Sequence, residues 1–188
     1  MKFLFFFLTI LSFSTLRAEE GGDSLSYRVE ASAVVSDGDH APLWLTANRY
    51  GMGSSAAKSA YLRAGAAWHK ELGKHWSIEA GLDLAAGANM ASKAWIEQAY
   101  ADLSWKMLTL SVGSKERPGF PLEKNARLTS GWMVEGPNTR PVPQIRGEIK
   151  DYLPLGFTGN WLSLKGHIAY GYFTDGDWQE KFAGVGQK

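Results

Sequence analysis

The sequence predicts an all-β protein: an antiparallel meander forming part of a transmembrane outer-membrane β-barrel, incomplete, with about eight strands present. Three observations predict it. Apolar and polar residues alternate with period two through segments mostly 8 to 13 residues long, longer than the roughly 5 or 6 usual for soluble strands. The apolar positions are rich in alanine beside leucine and tryptophan. A sandwich core needs bulk between its sheets, whereas a lipid face does not. Finally, the chain opens with an export signal.

That signal is residues 1–18. Lys2 gives a positive start, Phe3 to Phe13 is almost wholly apolar, and Ser14 to Ala18 is a small or polar approach to cleavage after Ala18. This eleven-residue run falls short of the roughly 20 apolar residues that a spanning helix needs. Cleavage removes Lys2 and Arg17 from the 20 basic residues and none of the 19 acids, leaving a net charge of −1. Such a balance gives no global field for nucleic acid. With no cysteine there is no disulfide framework, thiolate metal site or lipidated N-terminus.

Residues 19–188 are then read as the N-terminal portion of a barrel. In Asp23 to Val35, Leu25, Tyr27, Val29, Ala31, Ala33 and Val35 share one parity, and Ser26, Arg28, Glu30 and Ser32 the other. Ser36 to His40 is a turn cluster. Pro42 to Tyr50 is expected to be a short second strand, and Gly51 to Lys58 a small-residue loop. Ser59 to Leu72 alternates Leu62, Ala64, Ala66 and Trp68 against Tyr61, Arg63, Gly65 and His69, although its alanines would also tolerate a helix. Gly73-Lys74 joins it, hairpin-fashion, to His75 to Ala86, where Trp76, Ile78, Ala80, Leu82, Leu84 and Ala86 form the apolar face.

Lys93 to Trp105 and Met107 to Gly113 follow. Glu97 falls on the apolar parity, which requires either a bulge or a place at the edge of the apolar band. Trp95 and Trp105, ten residues apart on one parity, span about 25 Å when tilted, the height between aromatic girdles. Residues 114–142 are irregular. Strand character resumes near Pro143 to Lys150 and again over Trp161 to Phe173. The polar, glycine-rich ending Val185 to Lys188 lacks the terminal aromatic of a finished barrel, so the chain is expected to be part of a longer one. Mid-strand charges at Arg28, Glu30, Arg63, Glu79 and Asp83 fit a watery lumen, but also the solvent face of a secreted sandwich adhesin, which stays open as an alternative.

The irregular region holds the densest chemistry. Between Leu128 and Gly147 lie three of the seven prolines, Pro137, Pro141 and Pro143. They extend or turn Gly136, Arg140 and Val142. The segment reads as a proline-stiffened presentation of Arg140 and Arg146.

Four stretches carry a family resemblance: Ala41-Pro-Leu-Trp-Leu-Thr-Ala-Asn-Arg-Tyr-Gly51, Tyr61-Leu-Arg-Ala-Gly65, Val112-Gly-Ser-Lys-Glu116 and Asn138-Thr-Arg-Pro-Val-Pro-Gln144. In this order they resemble the Wzi family of capsule-assembly outer-membrane proteins, most closely its Bacteroidota branch. The resemblance implies a lectin-like outer-membrane barrel, not an enzyme, that helps hold capsular or surface polysaccharide. It also implies outer-membrane lipid and the barrel-assembly machinery as partners. Family members are longer, so this chain corresponds to the N-terminal part.

Glycan recognition uses planar hydrogen-bonding groups and aromatic faces. The candidates for polysaccharide binding or lumen organisation are therefore Arg49, Lys115, Glu116, Trp132, Asn138, Arg140 and Gln144. Arg140 either pairs in the lumen with Glu79, Asp83 or Asp102, or touches sugar. Trp132 is a stacking platform or a loop anchor. A porin-like channel with the long segment as its constriction is a further alternative. Enzymatic chemistry and cofactors are not expected. Glu116 with Glu123, or Glu79 with Asp83, has no separation that sequence can fix, and His40, His69, His75 and His167 are dispersed. There is no phosphate loop or Gly-x-Ser-x-Gly.

Overall fold

The computed structural model describes residues 12–20, 23–117, 136–172 and 174. They form one eight-stranded antiparallel sheet in which each strand pairs with the next in sequence. The strands are β1 (Ser12–Glu20), β2 (Asp23–His40), β3 (Ala56–Leu72), β4 (Trp76–Ala88), β5 (Ala94–Trp105), β6 (Leu108–Ser114), β7 (Gln144–Pro154) and β8 (Ser163–Gly171). The fold is all-β and the sheet is open: among the described residues β1 and β8 each pair on one side only.

The alternation places the strands because each repeat of two returns a side chain to the same face. The faces, however, are inverted relative to a water-soluble protein. The outward residues are apolar and exposed; Leu62 is 56% and Ile96 59% accessible. The inward residues are polar and buried, among them Glu30, Arg63, Asp83, Gln98, Asp102, Ser111 and Arg146. Soluble proteins rarely bury so many charges or leave so continuous an apolar face in water.

One end of the sheet turns tightly. Residues 73–75 join β3 to β4 with Gly73 at φ +80°, and residues 106–107 join β5 to β6 with Lys106 at φ +54°. At the other end the connections are longer, over residues 41–55 and 115–143, with a shorter one at 89–93.

Three sequence expectations are corrected. Pro42 to Tyr50 is not a strand. It holds one helical turn, α1 (Leu43–Thr46), closed by Ala47 N–H donating to Leu43 O at 2.8 Å. Asn48 and Tyr50 then take left-handed φ near +58° and +52°, which a strand cannot accommodate. The eighth strand is instead β1, which overlaps the end of the expected leader. The Ser36 to His40 cluster does not end β2 but is carried in it as an irregularity between Val35 and His40, with Gly38 at φ +128°.

The third correction concerns Trp95. Asp83 pairs with Gln98, and the next pair is Leu84 with Ile96. Glu97 is therefore the extra residue of a bulge, one of the two readings of its misplaced charge. The bulge exchanges the faces beyond it, so Trp95 turns inward against Tyr61, Ala85 and Met52 while Trp105 stays outward. The two tryptophans do not mark two girdles on one face.

Candidate functional site

The inner face of β2 to β6 is covered by the chain's own next turn. After β6, residues 115–117 fold back across the sheet. Lys115 Nζ reaches Glu79 Oε1 on β4 (2.9 Å) and Asp102 Oδ2 on β5 (2.7 Å), and lies 4.2 Å above the Tyr100 ring. Glu116 reaches farther, with Oε1 2.8 Å from Arg63 Nη1 on β3. That strand lies three positions from β6, ~14 Å along the sheet at the usual spacing. Arg117 returns to Ser111 Oγ on β6, and its carbonyl accepts the Tyr50 hydroxyl at 2.8 Å.

Arg63 is the hub. It forks onto the Asp83 carboxylate through Nε (3.1 Å) and Nη2, while Nη1 serves Glu116 and sits 3.9 Å from Glu30. Gln98 Nε2 donates to Asp83 at 2.8 Å, and Gln98 Oε1 accepts the Glu116 backbone N–H at 2.8 Å. Arg28 stands 3.5 Å from Asp83 and 3.6 Å from Glu116. Tyr61 donates to Glu30, and Tyr100 to Glu79 at 2.6 Å.

The sheet makes room for these groups with glycine. A Cβ on Gly65 would sit 1.6 Å from Asp83 Oδ1, and one on Gly81 would meet the Tyr100 ring at 2.6 Å. The hub has almost no access to water, with Arg63 4% exposed. Buried pairs of this kind return little net stability against their desolvation cost, but losing one partner is expensive.

A second cluster lies at the long-loop end. Asn48 N–H donates to Asn138 Oδ1 at 2.7 Å, and Tyr50 N–H to Pro137 O, so the two loops are pinned to each other. Arg49 approaches the Tyr61 hydroxyl. Arg140 packs its aliphatic stem against Gly51, lays its guanidinium 4.4 Å above the Trp95 ring and donates from Nη1 to Ser92 Oγ at 3.3 Å. Trp95 Nε1 in turn donates to Glu97 Oε2 at 2.6 Å. Among the described residues Glu97 Oε1 and Arg140 Nη2 are buried with no hydrogen-bond partner.

Of the residues predicted from sequence, Lys115 and Glu116 belong to the network, and Arg49, Asn138 and Arg140 to the loop cluster. Gln144 opens β7 opposite Gly113 and Gly171 and joins neither cluster by a hydrogen bond among the described residues. Trp132 and Glu123 lie outside those residues. Arg140 does not pair with Glu79, Asp83 or Asp102, because Lys115 and Arg63 already occupy those carboxylates and the Trp95 ring holds the guanidinium elsewhere. Sequence reasoning missed Glu30, Tyr61, Arg63, Asp83, Trp95 and Glu97 as site residues. The available signal was the run of charges at one parity of neighbouring strands, with glycine two residues from Arg63 and two from Asp83.

The arrangement is a rigid, self-paired polar wall with a small hydrogen-bonding and aromatic cluster at its looped rim. No family model, curated protein or solved structure matches this chain.

Proposed function

We propose that this chain forms wall strands of an outer-membrane β-barrel that engages capsular or surface polysaccharide at its long-loop end, as a lectin and not as an enzyme. The observation that carries the reading is the inverted polarity of the sheet. Apolar residues face out along every strand from β2 to β8, while the inward charges Glu30, Arg63, Asp83, Asp102 and Arg146, on β2 to β5 and β7, are buried. Lipid accepts the first face and a barrel lumen the second. A secreted sandwich would need a second sheet against the apolar face and would still carry the buried ion network on its outside.

The polysaccharide assignment rests on the resemblance to the Wzi family and on the chemistry of the rim. Arg140, Asn138 and Arg49 supply planar donors and Trp95 a ring face, the kinds of group that hydroxyl-rich and carboxylate-bearing sugars require. Outer-membrane lipid and the barrel-assembly machinery are the remaining partners of this reading.

Arg140→Ala tests it. Recognition predicts at least a tenfold loss of polysaccharide retention at the cell surface with heat-modifiable gel mobility unchanged. Loss of the folded band itself would make Arg140 a structural residue. A porin is the second reading, favoured by charges of both signs along the inner wall (Arg28 and Arg63 against Asp83 and Glu116). Large, steady conductance in planar bilayers selects the porin, and a silent bilayer the lectin.

A further inference from the structure

The outer face is not uniformly filled. At the tight-turn end of β4 to β8 it carries an open apolar groove of about 680 Å³, walled by Trp76, Trp105, Leu108, Ile149, Leu164 and Ile168. Two glycines make it. Gly147 pairs with Leu110 and Ile168, and Gly166 with Ile149. Both sit at outward positions in rows otherwise occupied by large apolar side chains. A Cβ at either would meet nothing within 4 Å, so neither glycine is there to admit a neighbouring protein atom.

The rim of the groove is basic and aromatic. Trp76 and Trp105 stack obliquely with centroids 6.3 Å apart. Lys106, in the β5–β6 turn, holds Nζ 5.2 Å from the Trp105 ring. Lys74 is exposed in the β3–β4 turn at the same end; Glu71 and Asp151 are exposed acids there, and Glu148 lines the groove itself. Tryptophan beside lysine, directly above an apolar trough, matches the boundary between lipid headgroups and acyl chains.

We propose that this groove is a specific site for one anionic glycerophospholipid, one acyl chain lying in the trough over Gly147 and Gly166 and the phosphate meeting Lys106. The assignment rests on the membrane reading above. It goes beyond general lipid contact, because the trough is local to β6 to β8 and the cation stands at its mouth. Its volume lies within the roughly 300–1,000 Å³ typical of clefts that hold one small molecule.

The test uses the full chain folded into mixed phosphatidylglycerol and phosphatidylcholine vesicles, extracted in mild detergent and weighed intact by native mass spectrometry. Wild type should retain one phosphatidylglycerol per chain. Gly147→Val with Gly166→Val fills the trough without strain, since valine suits a strand. An acyl chain displaced into lipid or detergent loses only its packing contacts with the trough, and roughly ten such contacts amount to about a tenfold drop in retained phosphatidylglycerol. Lys106→Ala should abolish the preference for phosphatidylglycerol over phosphatidylcholine while bound lipid persists. Equal retention by the filled variant, equal retention of both lipids by wild type, or a second copy of the chain in place of lipid overturns the site while leaving the barrel reading intact. Failure of the chain to insert at all, read from absent heat-modifiable mobility, overturns both.

Discussion

Strands β3 to β6 and strand β8 belong to one sheet and follow the same alternation, yet their inner faces differ sharply. Across β3 to β6 the inner face is closed over by residues 115–117, and Arg63, Asp83, Gln98 and Asp102 are buried and paired. On β8 the inward Lys165 and Ala169 are exposed and His167 is half-buried, and the outward Ile168 and Tyr170 are each 85% exposed. The difference is one of cover, not of strand chemistry. Across β3 to β6 the interior is fixed where a segment from elsewhere in the chain brings counter-charges to it.

The comparison breaks most visibly at its hub. Arg63→Ala leaves Asp83, Glu116 and Glu30 facing one another without their principal cation. Removing one member of a buried pair costs about 3–5 kcal/mol, so guanidinium unfolding of the detergent-folded protein should shift by that amount. Residues 115–117 should also become accessible to protease. A variant that keeps its midpoint within about 0.5 kcal/mol would mean that the fold-back segment does not hold the inner face together.

Gly65→Ala probes the same network without removing a charge. The added methyl falls 1.6 Å from Asp83 Oδ1 and 2.9 Å from Leu82 O, so the carboxylate must leave the Arg63 fork. Overpacking of this kind costs about 1–3 kcal/mol. Pairing the substitution with Asp83→Asn should recover part of the loss, since the two changes act on one contact. Additive losses would show that the glycine matters for the backbone and not for the ion pair.

The covered region was also the more legible in sequence, though unevenly. The period-two pattern of β3 to β6 places every strand within a few residues, because side-chain alternation is a local property of the backbone. The pairing of Arg63 with Asp83, and of Lys115 with Glu79 and Asp102, is not local. Parity says which face a charge occupies, but register and the course of the next loop decide what it meets. Glu97 shows how one residue propagates. Its charge on the apolar parity was readable as a bulge, but the bulge also reversed Trp95, and with it the partner of Arg140. At Pro42 to Tyr50 the apolar spacing of Leu43 and Leu45 imitates a strand, while the left-handed Asn48 and Tyr50 leave no sign in a period-two count.

The smallest expected effect lies on the uncovered side. Tyr170 faces outward from β8 opposite Ile145 and is 85% exposed. It has little packing to lose, and substitutions at sites of that kind usually stay within about 0.5 kcal/mol. Tyr170→Ala should therefore leave the unfolding midpoint of the detergent-folded chain almost unchanged, about one-tenth of the Arg63→Ala shift. The same substitution after insertion into vesicles asks a different question, because a lipid-facing tyrosine gains its stabilisation from the bilayer and not from the protein. A loss that emerges only in vesicles would identify lipid as the cover for the outer face of β8. A large loss already in detergent would mean that β8 is packed against protein there, and the contrast with β3 to β6 would fail.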